Sequence, residues 1–131
     1  MKKATGQALR VAVRLAAEGK ADEAIDVLEW NLKQLADGEA IEDIVSLSLH
    51  ASVICEGGLH DDRRARNILR RALQHAPTDT RTLLSLSRLY LKAGKKRIAR
   101  DLLNRRRETD EEKRNVGLQE VIEAMLKQLG E

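Results

Sequence analysis

Residues 80–104, TRTLLSLSRLYLKAGKKRIARDLLN, constrain the fold of this chain more than any other stretch. Leu83, Leu86 and Tyr90 recur at helical spacing, and Leu84 and Leu91 widen the stripe. Gly94 follows, a residue type that takes left-handed backbone at a helix end without a Cβ clash. Beyond it Ile98, Ala99, Leu102 and Leu103 make the buried side of a second helix. The small Ala99 stands where the two helices need to approach closely. The pattern predicts two amphipathic helices joined by a tight turn. Gly94, Ala99 and Leu103 also repeat the spacing of Gly19, Ala24 and Leu28, so the same unit is expected near the start of the chain. Units of this kind bury their apolar faces by stacking.

The rest of the sequence reads as helix too. Residues 4–18 carry Leu9, Val11, Ala12, Val13, Leu15 and Ala16, with few polar positions, so much of this helix should be buried. Residues 21–36 carry Ala24, Ile25, Leu28, Leu32 and Leu35, with Asp22 and Glu23 in the first turn where the helix dipole favours negative charge. Residues 39–56 are apolar nearly all round, which predicts a helix covered on both sides, ended by Gly57 and Gly58. A fourth helix, capped by Asp61 or Asp62, carries Ala65, Ile68, Leu69, Ala72 and Leu73 and stops before Pro77. Thr78 or Asp79 caps the fifth, and the sixth spans 95–107. Thr109 with Glu112 forms a capping-box pattern for a seventh, with Leu118, Val121, Ile122, Met125 and Leu129 on its apolar face. Gly117 weakens that helix by roughly 1 kcal/mol relative to alanine, so a late start is expected. No segment alternates in the manner of a strand, so the fold class is all-α.

The glycine, alanine and large-residue spacing is similar to that of the tetratricopeptide repeat family. The resemblance covers about residues 5–108, as repeats over 5–38, 39–78 and 79–108, with a capping helix over 109–130. It implies a single domain over 1–131, a right-handed α-solenoid of antiparallel hairpins with about seven helices. The sequence departs from the family pattern in places. Ala8, Leu47 and Leu83 stand where a large aromatic is usual, Tyr90 and Pro77 are lone survivors of their positions, and Ala65 follows Gly58 by seven residues instead of five. The middle turn is therefore expected to hold two extra residues.

The resemblance also implies a site, because in this family the first helix of each repeat lines a concave groove that holds a partner segment. Carried over, it points to Leu9, Val13 and Ala16 in the first helix, Ser48, Ser52 and Cys55 in the third, and Arg81, Leu84, Arg88 and Lys92 in the fifth. Such a groove suits a protein or peptide segment with apolar and acidic character. The competing reading of Leu9, Val13 and Leu84 is plain core packing. One subset of the family grips the carboxy terminus of heat-shock chaperones and needs asparagine where Val13 and Ser52 stand, so this chain departs from that subset.

Charge is uneven along the chain. Residues 1–17 hold four basic and no acidic residues, 18–60 two basic and ten acidic, 61–107 fifteen basic and four acidic, and 108–131 three basic and seven acidic. One reading is solvated helix faces that compensate one another. A second is a continuous basic outer face of Arg63, Arg64, Arg66, Arg70, Arg71, Lys95, Lys96, Arg97 and Arg100 that attracts acidic protein or nucleic acid. Trp30 and Tyr90 are the only aromatics, which disfavours single-strand binding by stacking. A third is self-association of acidic block onto basic block.

No catalytic constellation is present in the sequence, and neither a cofactor nor a metal is expected. His60, Asp61 and Asp62 lie too close in one turn to supply a metal's ligands. Cys55 with His50 or His60 lacks an acidic orienter and an oxyanion donor, so Cys55 reads as a small core residue and His50 as a core histidine. A single cysteine makes no internal disulfide, and no run approaches the ~20 apolar residues that span a bilayer. Arg10 and Arg14 interrupt what an export leader would need as its apolar core. These features predict a cytoplasmic, non-catalytic adaptor, co-chaperone or assembly factor. The alternatives are a nucleic-acid-associated helical protein and a self-assembling scaffold.

Overall fold

The computed structural model describes residues 1–35, 40–107 and 116–128. Among them are seven helices and no strand: α1 (Lys3–Ala17), α2 (Ala21–Gln34), α3 (Ile41–Gly58), α4 (Asp62–His75), α5 (Thr80–Lys92), α6 (Lys96–Arg107) and α7 (Val116–Gln128). The chain divides into two compact units, residues 1–77 and 78–131. The first holds the hairpins α1–α2 and α3–α4, with α3 packed on both α1 and α2. The second holds the hairpin α5–α6, with α7 packed on α6. Both are all-α hairpin architectures of the kind the sequence predicts.

The close approach of helices follows from small residues at the contacts. Ala8 and Ala12 of α1, Ala24 of α2, Ala51 of α3 and Ala65 of α4 are all buried, and Ile25, Leu28, Leu47 and Leu69 fill the space between the backbones. Each such leucine or isoleucine contributes about 1.5–3 kcal/mol by leaving water. In the second unit Ala99 and Leu103 of α6 are fully buried, and Leu103 meets Leu126 of α7 with Leu84, Leu91 and Met125 around them. α7 packs on α6 through Leu126. Val121, assigned to the apolar face of that helix, is 48% exposed, and Ile98 of α6 is 41% exposed. Leu118, Ile122 and Leu129 lie outside the described side chains, as do Thr109 and Glu112. The helix is described from Val116 onward, with Gly117 in its first turn.

The middle turn corrects the expected insertion. Gly19 and Gly94 take left-handed backbone with φ of 80° and 77°, and the residue in the same place after α3 is His60, with φ of 51°. Counted from His60, Ala65 follows by five residues and Leu69 by four more, the spacing of the other two hairpins. Gly57 and Gly58 do not end α3; they are its last two helical residues. The extra length lies in the closing turn. The Lys20 and Lys95 amides reach back five residues to the Leu15 and Tyr90 carbonyls, at 2.8 Å each, whereas the Asp61 amide reaches back six, to the Cys55 carbonyl at 2.9 Å. One additional residue, not two, is thus absorbed by a wider last turn. Gly58 has a different use: a Cβ there would lie 2.8 Å from the Ala21 Cβ, so the glycine lets the end of α3 approach the start of α2.

Side chains fix the helix starts. Asp61 caps α4 by accepting from the Arg64 amide at 3.0 Å, and Asp79 caps α5 by accepting from the Thr82 amide at 3.0 Å and its hydroxyl at 2.8 Å. Asp43, buried near the start of α3, accepts from the Lys2 amide at 2.9 Å and the Thr5 hydroxyl at 2.8 Å, which ties the starts of α1 and α3 together. The Lys2 hydrogen bond holds the Asp43 carboxyl below its ordinary range, burial opposes it and the Thr5 hydroxyl adds to it.

Candidate interaction surfaces

The first helix of each hairpin carries the same two side-chain lines. Ala8 and Ala12 in α1, Ser48, Ser52 and Cys55 in α3, and Leu83, Ser87 and Tyr90 in α5 are buried. One residue further on, the second line faces out in part. It reads Leu9, Val13 and Ala16 in α1, Leu49, Val53 and Glu56 in α3, and Leu84, Arg88 and Leu91 in α5. In each helix the middle residue of that line is exposed and the outer two are half-buried.

This register corrects the third helix of the expected groove. Ser48 is 2% exposed, Ser52 5% and Cys55 0%, so none of the three presents its side chain to a partner on that face. Ser52 donates to the Leu49 carbonyl at 2.8 Å. Burial pushes the Cys55 thiol up to about 11, so it stays protonated and unreactive at neutral pH. Leu49, His50, Val53 and Ile54 take the outward place, and with Val13 and Ala16 they line an apolar trough of about 400 Å³ between α1 and α3. Val13 is 53% and Val53 67% exposed. His50 is exposed as well, its Nδ1 2.8 Å from the Ser46 carbonyl, which corrects its reading as a core histidine. The expectation that α3 is covered on both sides fails for the same reason: Ile44, Val45, Leu47 and Ala51 are buried, and one flank is open.

The second unit carries its own surface. Arg81, Arg88 and Lys92 of α5 are exposed, and Arg81 pairs with Asp79 at 3.4 Å. Leu84 is half-buried against the Leu103–Leu126 contact, so it packs beside α7 as well as standing on the outer line.

The basic residues are distributed over both units. On α4, Arg63, Arg70 and Arg71 are exposed, and Arg66 is half-buried. Arg64 turns inward and pairs with Glu29 of α2 at 3.3 Å, so it ties two helices and is not part of an outer face. In the second unit Lys95, Lys96 and Arg97 are exposed at the start of α6, and Arg100 is half-buried. Trp30 of α2 is 62% exposed, whereas Tyr90 is in the core. Among the described residues no three His, Cys, Asp or Glu side chains gather as a metal site would require, and no helix is long and apolar enough to cross a membrane.

No curated protein matches the chain. Residues 61–118 match the sequence pattern of the tetratricopeptide repeat. Such repeats generally mediate protein–protein interactions and are typically not catalytic. That match, together with the stacked helical hairpins and the repeated glycine-to-alanine turn, supports a repeat protein of tetratricopeptide type.

Proposed function

We propose that this protein is an adaptor that holds an apolar segment of another protein in the trough between α1 and α3. The observation that carries the reading is the pair Val13 and Val53, two valines left more than half exposed on adjacent helices and lining one trough. Apolar side chains left open along one trough mark a site of interaction more often than an accident of packing. On α5, Arg81, Arg88 and Lys92 offer charge-assisted hydrogen bonds to acidic residues of a partner. Roles as a co-chaperone or an assembly factor are compatible with this chemistry. The absence of asparagine at Val13 and Ser52 separates the chain from the chaperone-carboxylate subset.

The test is capture of partners from a cell lysate, with and without nuclease, by the wild type and by two double variants. Val13→Glu/Val53→Glu should lower partner affinity by roughly a hundredfold, since each buried valine contributes about 1.5 kcal/mol or more. Its melting temperature should barely move, because both positions are exposed. Arg81→Glu/Arg88→Glu should release partners that carry acidic residues. Capture that survives the valine variant overturns the trough as the site. A second reading, association with nucleic acid, is favoured by the exposed arginines of α4. It requires bands that vanish with nuclease and an affinity that falls steeply between low and physiological salt.

A further inference from the structure

A second cavity lies in the first unit, lined by α2, α3 and α4, and its residues are not those of the trough. Its volume is about 150 Å³. Ile44, Ile68 and Ala72 line it, each no more than 5% exposed. Ser48 also lines it, 2% exposed. Three cationic or titratable side chains, Lys33, Arg71 and His75, also line the cavity.

The charges around the cavity favour an anion. Among the described residues Glu29 is the one acidic side chain that lines it, and Arg64 engages that carboxylate at 3.3 Å. Lys33 and His75 stand in the last turns of α2 and α4, where a cation complements the helix dipole. Arg71 lies one turn earlier in α4, so the helix end does not account for it. A cavity of this volume has room for a six-membered ring. We propose that this cavity is a binding site for small organic acids with a compact apolar body, an aromatic or branched aliphatic carboxylate. The body lies on Ile44, Ile68 and Ala72, and the carboxylate meets Arg71 and Lys33, with Ser48 as a donor. The site is independent of the trough, and a partner protein is not needed to fill it.

Benzoate is the probe, with benzyl alcohol as its neutral counterpart, titrated into the full chain and followed by amide and methyl NMR. Benzoate should shift the signals of Ile44, Ser48, Ile68 and Ala72 saturably, and benzyl alcohol should bind at least tenfold more weakly. Arg71→Gln with Lys33→Gln should remove that difference while leaving the melting temperature within a few degrees, because both residues are exposed. Ser48→Ala, which keeps the cavity apolar, should weaken benzoate without affecting benzyl alcohol. The proposal is overturned by equal affinity for the two probes, by the absence of saturable shifts, or by shifts confined to Val13, Leu49 and Val53.

Discussion

Two neighbouring glycines show how far the residue type alone falls short of its role. Gly57 and Gly58 are both helical, and only the second has a neighbour in the way of a Cβ. Gly57→Ala should therefore stabilise the protein by about 0.5–1 kcal/mol, the ordinary gain of alanine over glycine in a helix. Gly58→Ala should destabilise it by about 1–3 kcal/mol, because α3 and α2 must move apart by a large fraction of an ångström. Thermal melts of the two variants give the opposite signs directly. His60→Gly should raise stability by up to about 1 kcal/mol, since the left-handed backbone there costs a non-glycine residue that much or more. This position explains the misread turn. The sequence shows a glycine pair and invites the turn to be placed there, while a histidine in left-handed backbone carries no such mark. The spacing of Ala65 and Leu69 did contain the answer, because five residues back from Ala65 is His60. The wider last turn of α3 was not legible, since a six-residue backbone hydrogen bond leaves no trace in side-chain spacing.

At the scale of elements, the helices and their order were readable from apolar periodicity, and their starts from Asp61, Asp79 and the first-turn acids. What periodicity could not give was which flank of α3 is open, because Ser48, Leu49, Ser52 and Val53 alternate around a helix that is apolar on most sides. A shift of one residue exchanges the buried line for the outer line, and only packing against α1 and α2 decides between them. The tie between α1 and α3 has a pH signature. Asp43 has a carboxyl held below its ordinary value, so its contribution is complete above pH about 4, the value in an unfolded chain, and is lost as pH falls through the native value. Asp43→Ala should cost about 1.5–3 kcal/mol at pH 7, and the gap between variant and wild type should close in acid. Melts at pH 7 and pH 3 measure both. In the second unit, Leu126→Ala should release α7 and expose Leu103, at a cost of about 2–5 kcal/mol. Faster amide exchange in α6 than in α3 of that variant would report a local loss.

For the whole molecule, the chain carries an apolar trough in residues 1–77 and a cationic helix face in residues 78–131. The repeats bury small residues where backbones meet and leave one side of α1 and α3 unfilled. That division of labour, with alanine and serine inward and valine outward, is what makes a stacked hairpin into a binding surface. The central claim is that a partner lies on Val13 and Val53. Site-specific photo-crosslinking tests it most directly, with a benzophenone amino acid placed in turn at positions 13, 53 and 30 and irradiated in lysate. Trp30 is equally exposed but stands on α2, away from the trough, and so controls for accessibility. Abundant adducts of one shared partner from positions 13 and 53, with little from position 30, are the predicted result. Adducts that form as readily from position 30, or only from there, would contradict the account and move the interaction to the outer helices.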